Sequence, residues 1–320
     1  MIMHLEKKLH QVCSVRMQSE DVCKMSSRKI GIMVALAVVI IGIFVASAWH
    51  VSQNQNNSQD EKANEWFSGN DIIAHALGGI DGHDYTNSKE AFIYNYEQGD
   101  RIFEVDFTET TDGEVVCAYN WRNERQEGID GDHEPDLEKF LSVPIYGQYT
   151  PMSLAQLLDL LEQYPDAYAV TDIKRQEMKD VSRQFQLIVD TAKKENKEAV
   201  LDRFIIQFYQ EDQLQEIREI YPFQNYIFTL YEKYEDKEQL TQKDFKKVAS
   251  FCKENGVDVI TMWDYWWNAD FEKTKEKYGL EVYVHTVNDV KTAVDCMNSG
   301  VDGIYTDYIT PGDLQNAQEK

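Results

Sequence analysis

Nine strand-like runs alternate with helical patterns, and a hairpin signal takes one run out of the series. The remaining eight are joined by helix-sized connections, which predicts an α/β chain closed as a TIM (β/α)8 barrel. The runs are Ile72–His75, Ile102–Asp106, Val115–Tyr119, Tyr168–Asp172, Phe204–Phe208, Tyr226–Leu230, Val257–Met262, Val282–Val287 and Gly303–Thr306. Parallel neighbours need a crossover of about a dozen residues or more, and Asp106 and Val115 lie too close for one. Their link contains Asp112-Gly113, which favours a tight hairpin turn. Val115–Tyr119 is therefore expected to run antiparallel, as an excursion from the second barrel strand. Among the helices, Ser153 follows Pro151 and is placed to cap Leu154–Tyr164. Asp289 is placed to cap Val290–Asn298, with Gly300 at its end. Asn120–Pro151 shows no clear helix or strand, and a loop of that length after the hairpin reads as a cap insertion (120–151) over the functional face.

One N-terminal transmembrane helix is expected ahead of the barrel. Ile30–Trp49 carries no charge and is long enough to cross a bilayer. Lys24, Arg28 and Lys29 precede it, so residues 1–29 are expected on the cytoplasmic side, 30–49 in the membrane, 50–68 as a polar linker and 69–320 as an extracellular barrel. A cleaved signal peptide is the competing reading, because Ala46-Ser47-Ala48 fits a small-x-small cleavage site. The leader before the apolar run is long for a signal peptide, which favours the uncleaved anchor.

The chain has 320 residues and a net charge of −24, and the first 50 residues are themselves slightly basic. The exported part is therefore strongly acidic. That excludes nucleic acid as a partner, since its recognition needs a basic surface, and it argues against tight binding to an anionic membrane face. Cys117, Cys252 and Cys296 are an odd number without metal-type spacing, so no disulfide framework is implied.

A barrel builds its site at the C-terminal ends of its strands. Strand one ends at His75, strand two at Glu104 and Asp106, and the next barrel strand at Asp172 with Lys174 just beyond. Residues two apart in a strand point the same way, so Glu104 and Asp106 are placed together, and like charges so placed repel. Three carboxylates suit one Ca2+ or Mg2+, which would neutralise and polarise a phosphate. Lys174 would add a point charge for a phosphate oxygen. His75 would move a proton near neutral pH. Gly78-Gly79 would let backbone N–H groups approach an anion. Trp263, Tyr265, Trp266 and Trp267 follow strand seven and either line a pocket for a polyol or pack in the core.

These residues resemble the glycerophosphodiester phosphodiesterase family, within the TIM-barrel phosphodiesterases that include phosphatidylinositol-specific phospholipases C. Ile73-Ala74-His75, Thr86-Asn87-Ser88 with Glu90-Ala91-Phe92, Phe103–Asp106 with Thr110–Gly113, Asp172-Ile173-Lys174, Val282–Asn288 and Gly300–Asp307 carry the resemblance, over about Asp71 to Pro311. It implies metal-assisted phosphodiester hydrolysis, with Glu104, Asp106 and Asp172 as ligands and His75 as one acid/base. The chain departs from the family pattern in three places. Ala76 stands where the family has a phosphate-binding arginine, Asp172 replaces a glutamate, and Tyr119 and Asn120 occupy the family's second histidine and its aspartate. A tyrosine, with a pKa of about 10, is a poor proton partner at neutral pH. Arg122 is a candidate for the missing arginine. His285, at a tryptophan position of the family, is a candidate to face the substrate, and His83 and His133 are further imidazoles. Two functions stand: a metal-dependent hydrolase (or cyclising lyase) of glycerophosphodiesters or phosphodiester-linked polymers, and a non-catalytic barrel that recognises such groups.

Overall fold

The computed structural model describes residues 66–318, of which Gly69 onward belongs to one compact unit. The apolar run 30–49 and its flanks lie outside the described residues. Among the described residues no helix is long and apolar enough to cross a membrane.

The strands are β1 (Ile72–Ala74), β2 (Ile102–Glu109), β3 (Val115–Cys117), β4 (Tyr168–Ile173), β5 (Phe204–Phe208), β6 (Asn225–Thr229), β7 (Val259–Trp263), β8 (Glu281–His285) and β9 (Gly303–Thr306). Eight of them pair in parallel in the order β1-β9-β8-β7-β6-β5-β4-β2, and a β1–β2 pairing closes the ring. The expected hairpin is present: β3 runs antiparallel to β2, with Phe107 opposite Cys117 and Glu109 opposite Val115. The turn is closed by Gly113 N–H on the Thr110 carbonyl, with Gly113 at positive φ.

The helices are α1 (Lys89–Glu97), α2 (Leu137–Ser142), α3 (Leu154–Gln163), α4 (Met178–Lys194), α5 (Glu211–Ile220), α6 (Gln242–Asn255), α7 (Glu272–Tyr278), α8 (Val290–Asn298) and α9 (Pro311–Gln318). Ser153 and Gln156 form a reciprocal capping box at the start of α3, and Asp289 accepts from Thr292 N at the start of α8. Both caps match the sequence reading.

The pleat sorts β2 into two faces. Phe103, Val105 and Phe107 join the apolar core with Phe92 of α1 and Leu157 and Leu158 of α3. Glu104 and Asp106 lie on the opposite face and are nonetheless fully buried. Within 120–151, expected to lack regular structure, α2 forms behind an Asp136 cap. Its Phe140 packs with Ile129 and Val116 as a small satellite core of its own. A short amphipathic turn of this kind carries too few periodic residues to be read from sequence.

At the opposite end of the barrel, Asp100 is buried and its Oδ1 has no hydrogen-bond partner among the described residues. Burial pushes its carboxyl up to about 7, against a smaller opposing pull from Arg101. The unfolded chain ionises this group from about pH 4 upward, the fold only above about 7, so its contribution to stability falls as pH rises through that window. Asp100→Asn is expected to raise the melting temperature at pH 8, by about 2–4 °C per kcal/mol gained, and to have no such effect at pH 4. Melting curves at the two pH values check this.

Candidate active site

The chain turns sharply after β1. Ala76 and Leu77 both take positive φ, an uncommon conformation for residues with a side chain. This turn aims the Ala76 N–H at Glu104 Oε2, 2.7 Å away. His75 Nδ1 lies 2.8 Å from Asp307 Oδ1, just past β9, so residues beyond the first and last barrel strands meet here. Asp307 is itself fixed by Asn288, whose amide donates to Oδ2 (2.6 Å) and accepts from the Asp307 N–H (2.8 Å). With Nδ1 taken, Nε2 is the nitrogen that His75 offers to the cavity.

Parallel pairing sets Asp106 directly beside Asp172. Asn87 holds Asp106 at both ends: its Nδ2 donates to Oδ2 at 2.6 Å, and its Oδ1 accepts the Asp106 N–H at 3.0 Å. Glu104, Asp106 and Asp172 each offer a carboxylate oxygen within 4.8 Å of the others. The Lys174 ammonium makes ion pairs with both Asp106 and Asp172. Asp106 Oδ1 is buried and, among the described residues, is met by that ion pair alone.

Electrostatics follow from this crowding. Burial, then the Asp106 charge, push the Glu104 carboxyl well up. Burial would also raise Asp172, but Lys174 and the Tyr209 hydroxyl outweigh it and hold Asp172 below the usual range. Burial opposes charge on His75 too, yet the Asp307 hydrogen bond and the charges of Glu104 and Asp106 raise its pKa to about 9. Three buried carboxyl groups converge here, Lys174 pairs with two of them, and among the described residues Asp106 Oδ1 has that ion pair as its sole partner. That donor set, all oxygen, fits a hard divalent cation.

A cavity of about 310 Å³ opens on these groups. His75, Glu104, Asp172 and Lys174 line one side, and Tyr231, Trp263, His285 and Tyr305 line another. Tyr119 lines it too, its ring tilted at 54° against Tyr85, with the Lys174 ammonium 4.4 Å over its ring. His285 lines the cavity as a buried imidazole. Its Nδ1 meets Thr261 Oγ1 at 2.9 Å, and its Nε2 has no hydrogen-bond partner among the described residues. Burial, reinforced by His75, lowers its pKa to about 3, so it is neutral near pH 7.

Several expectations need correction. Gly78 is not an anion nest, because its N–H donates to the His75 carbonyl (2.8 Å) and the Gly79 N–H to the Asp307 carbonyl (2.5 Å). Packing requires Gly78, since a Cβ there would lie 2.3 Å from the Asn95 amide. Arg122 is exposed and does not line the cavity. The arginine that reaches the edge is Arg125, over the rings of Tyr85 and Tyr119. No residue of 120–151 lines the cavity. His83 stacks on Tyr146, and His133 pairs with Asp130 at the surface. Of the aromatic cluster only Trp263 lines the cavity, while Trp266 is core. Sequence reasoning gave no role to Asp307, Asn87 or Tyr209. The first two lie inside the Gly300–Asp307 and Thr86–Ser88 motifs, whereas Tyr209 carried no signal.

The sequence pattern described as the Glycerophosphoryl diester phosphodiesterase family matches residues 81–310, most of the chain. The chain belongs to that family. Its members are phosphoric diester hydrolases, and the chain is assigned to that enzyme class. No curated protein sequence matches it. Among solved structures, a putative glycerophosphoryl diester phosphodiesterase from Silicibacter pomeroyi superposes with a TM-score of 0.61 at 19% identity, covering 77% of this chain and 91% of that one. A putative glycerophosphodiester phosphodiesterase from Galdieria sulphuraria gives 0.61 at 17%, covering 78% and 97%. A phosphodiesterase from Oleispira antarctica, solved with the product sn-glycerol-3-phosphate, gives 0.60 at 15%, covering 78% and 96%. At these identities the superpositions establish the shared barrel.

The His75–Asp307 pair makes one prediction for the metal-free protein. His75 gains stability from its partner while it is charged; that contribution is full below about pH 6.5 and is lost as pH rises through about 9. Asp307→Asn is expected to lower the melting temperature more at pH 6 than at pH 10, as melting curves in EDTA would record.

Proposed function

We propose that the chain is a metal-dependent phosphodiesterase of glycerophosphodiesters, or of related head-group or polymeric phosphodiesters, acting outside the cell from an N-terminal anchor at residues 30–49. The observation that carries this reading is the joint one: His75 is fixed through Nδ1 by Asp307 beside three carboxylates within 4.8 Å of one another. Glu104, Asp106 and Asp172 would hold Ca2+ or Mg2+. When bound, the cation supplies charge neutralisation at the phosphate and polarises its P–O bonds.

The remaining steps belong to side chains. Lys174 is the cationic side chain beside the carboxylates and gives a point charge to a phosphate oxygen. His75 Nε2 carries the proton exchanged with the attacking or leaving oxygen, and Asp307 keeps the ring oriented and stabilises the imidazolium. Tyr119 is the phenol nearest the role of second acid/base. Whether the nucleophile is water or a substrate hydroxyl separates hydrolase from cyclising lyase, and product analysis distinguishes the two.

A second reading, a barrel that binds glycerol-phosphate polymers or head groups without turnover, draws support from Tyr119. Its ring is packed between Tyr85 and the Lys174 ammonium rather than paired with a base.

Hydrolysis of glycerophosphocholine or bis(p-nitrophenyl) phosphate, with Ca2+, Mg2+ or EDTA, separates them. Turnover is expected with metal and not with EDTA. Glu104→Gln should abolish it, and His75→Ala should reduce it by about 10²–10⁴-fold. Metal-dependent thermal stabilisation with no turnover would favour the binding barrel. Tyr119→His is expected to raise the rate, and an unchanged rate would remove Tyr119 as the limiting substitution.

A further inference from the structure

Each carboxylate of the trio has a donor behind it. Glu104 takes the Ala76 N–H, Asp106 takes the Asn87 amide, and Asp172 Oδ1 takes the hydroxyl of Tyr209. The first two donors come from the segment that follows β1. The third comes from the far side, just past β5, and belongs to a buried phenol.

Asp172 is paired with Lys174 and has only lone pairs to offer, so the Tyr209 phenol must be the donor. Its own lone pairs then accept from Gln207 Nε2 at 2.7 Å and from the Tyr231 hydroxyl at 3.0 Å. This in turn orients the Gln207 amide, whose Oε1 accepts the Tyr305 hydroxyl at 2.9 Å. One charge thus dictates the direction of every hydrogen bond in a set of four side chains, of which Tyr209, Gln207 and Tyr305 are buried and Tyr231 is half-buried. Rotating Asp172 away would strand the Tyr209 hydroxyl without an acceptor, and burying an unsatisfied donor is costly. Lys174 cannot provide the same restraint. It is partly exposed, and its single ammonium is shared between Asp172 and Asp106.

We propose that Tyr209 is a positioning residue for the cation site, and that its phenol, held by Gln207 and Tyr231, fixes the Asp172 carboxylate where the trio takes a divalent cation. The proposal rests on the trio being a cation site, as read above. Donors of this kind orient ligands, and losing one typically weakens metal affinity by about 10–100-fold. Tyr231→Phe removes a donor to Tyr209 without touching Asp172, so its effect should be smaller.

The test is Ca2+ and Mg2+ binding to the full chain by calorimetry, with melting curves in EDTA and the metal dependence of turnover alongside. Tyr209→Phe is expected to raise the dissociation constant, and the metal concentration for half-maximal activity, by about 10–100-fold. The rate at saturating metal should move far less, a split that a general loss of folding would not produce. An affinity in Tyr209→Phe within about twofold of the parent's, well below that range, overturns the proposal. If Tyr209→Phe does not fold, Tyr231→Phe decides the matter: a smaller but measurable weakening supports the proposal, and no change overturns it. A parent protein that binds neither ion removes the cation-site reading itself and the proposal with it. A parent that binds while the variants match it removes the proposal alone.

Discussion

Three carboxyl groups share one buried barrel mouth, and the surrounding structure is arranged to hold them there. Such a cluster is unstable unless each oxygen has a donor or a counter-charge. A backbone N–H at Ala76, an amide at Asn87, a phenol at Tyr209 and the ammonium of Lys174 meet that need. Each donor constrains its own segment. Positive φ at Ala76 and Leu77 turns the Ala76 N–H inward, and Asn87 also takes positive φ. The loop between β1 and α1 is thus shaped by the acids it must satisfy.

The two sides of the cavity differ in kind. On the acid side the groups are ionisable and closely paired. On the other, His285 is neutral and Trp263, Tyr231 and Tyr305 offer ring faces and hydroxyls. A phosphodiester has the same asymmetry, with an anionic centre and a neutral or weakly polar alcohol on its flank. On the proposed reading the anion would sit beside Lys174 and His75, and the aromatic side would take the alcohol.

Much of the barrel was legible because its signals are local. Asp112-Gly113 marks a turn, Ser153 and Asp289 mark helix starts, and the alternation in β2 separates Glu104 and Asp106 from Phe103, Val105 and Phe107. The site was legible as far as strand ends could be counted. What escaped depends on distance along the chain. Asp307 meets His75 across 232 positions, and Tyr209 meets Asp172 across 37. No spacing rule links such pairs. The ion pairs that Lys174 makes with Asp106 and Asp172 were not foreseen either, because they depend on β2 and β4 lying side by side. Gly78 was misread for another reason: a glycine needed for close approach to Asn95 looks the same in sequence as one that frees an amide.

The contact between His75 and Asp307 has a consequence for how the protein is made. One partner lies at the start of the barrel and the other near its end, so a growing polypeptide carries its imidazole long before the aspartate exists. Until the final strand docks beside the first, that ring lacks the group that orients it. Synthesis order alone therefore keeps every incomplete chain without this histidine–aspartate pair.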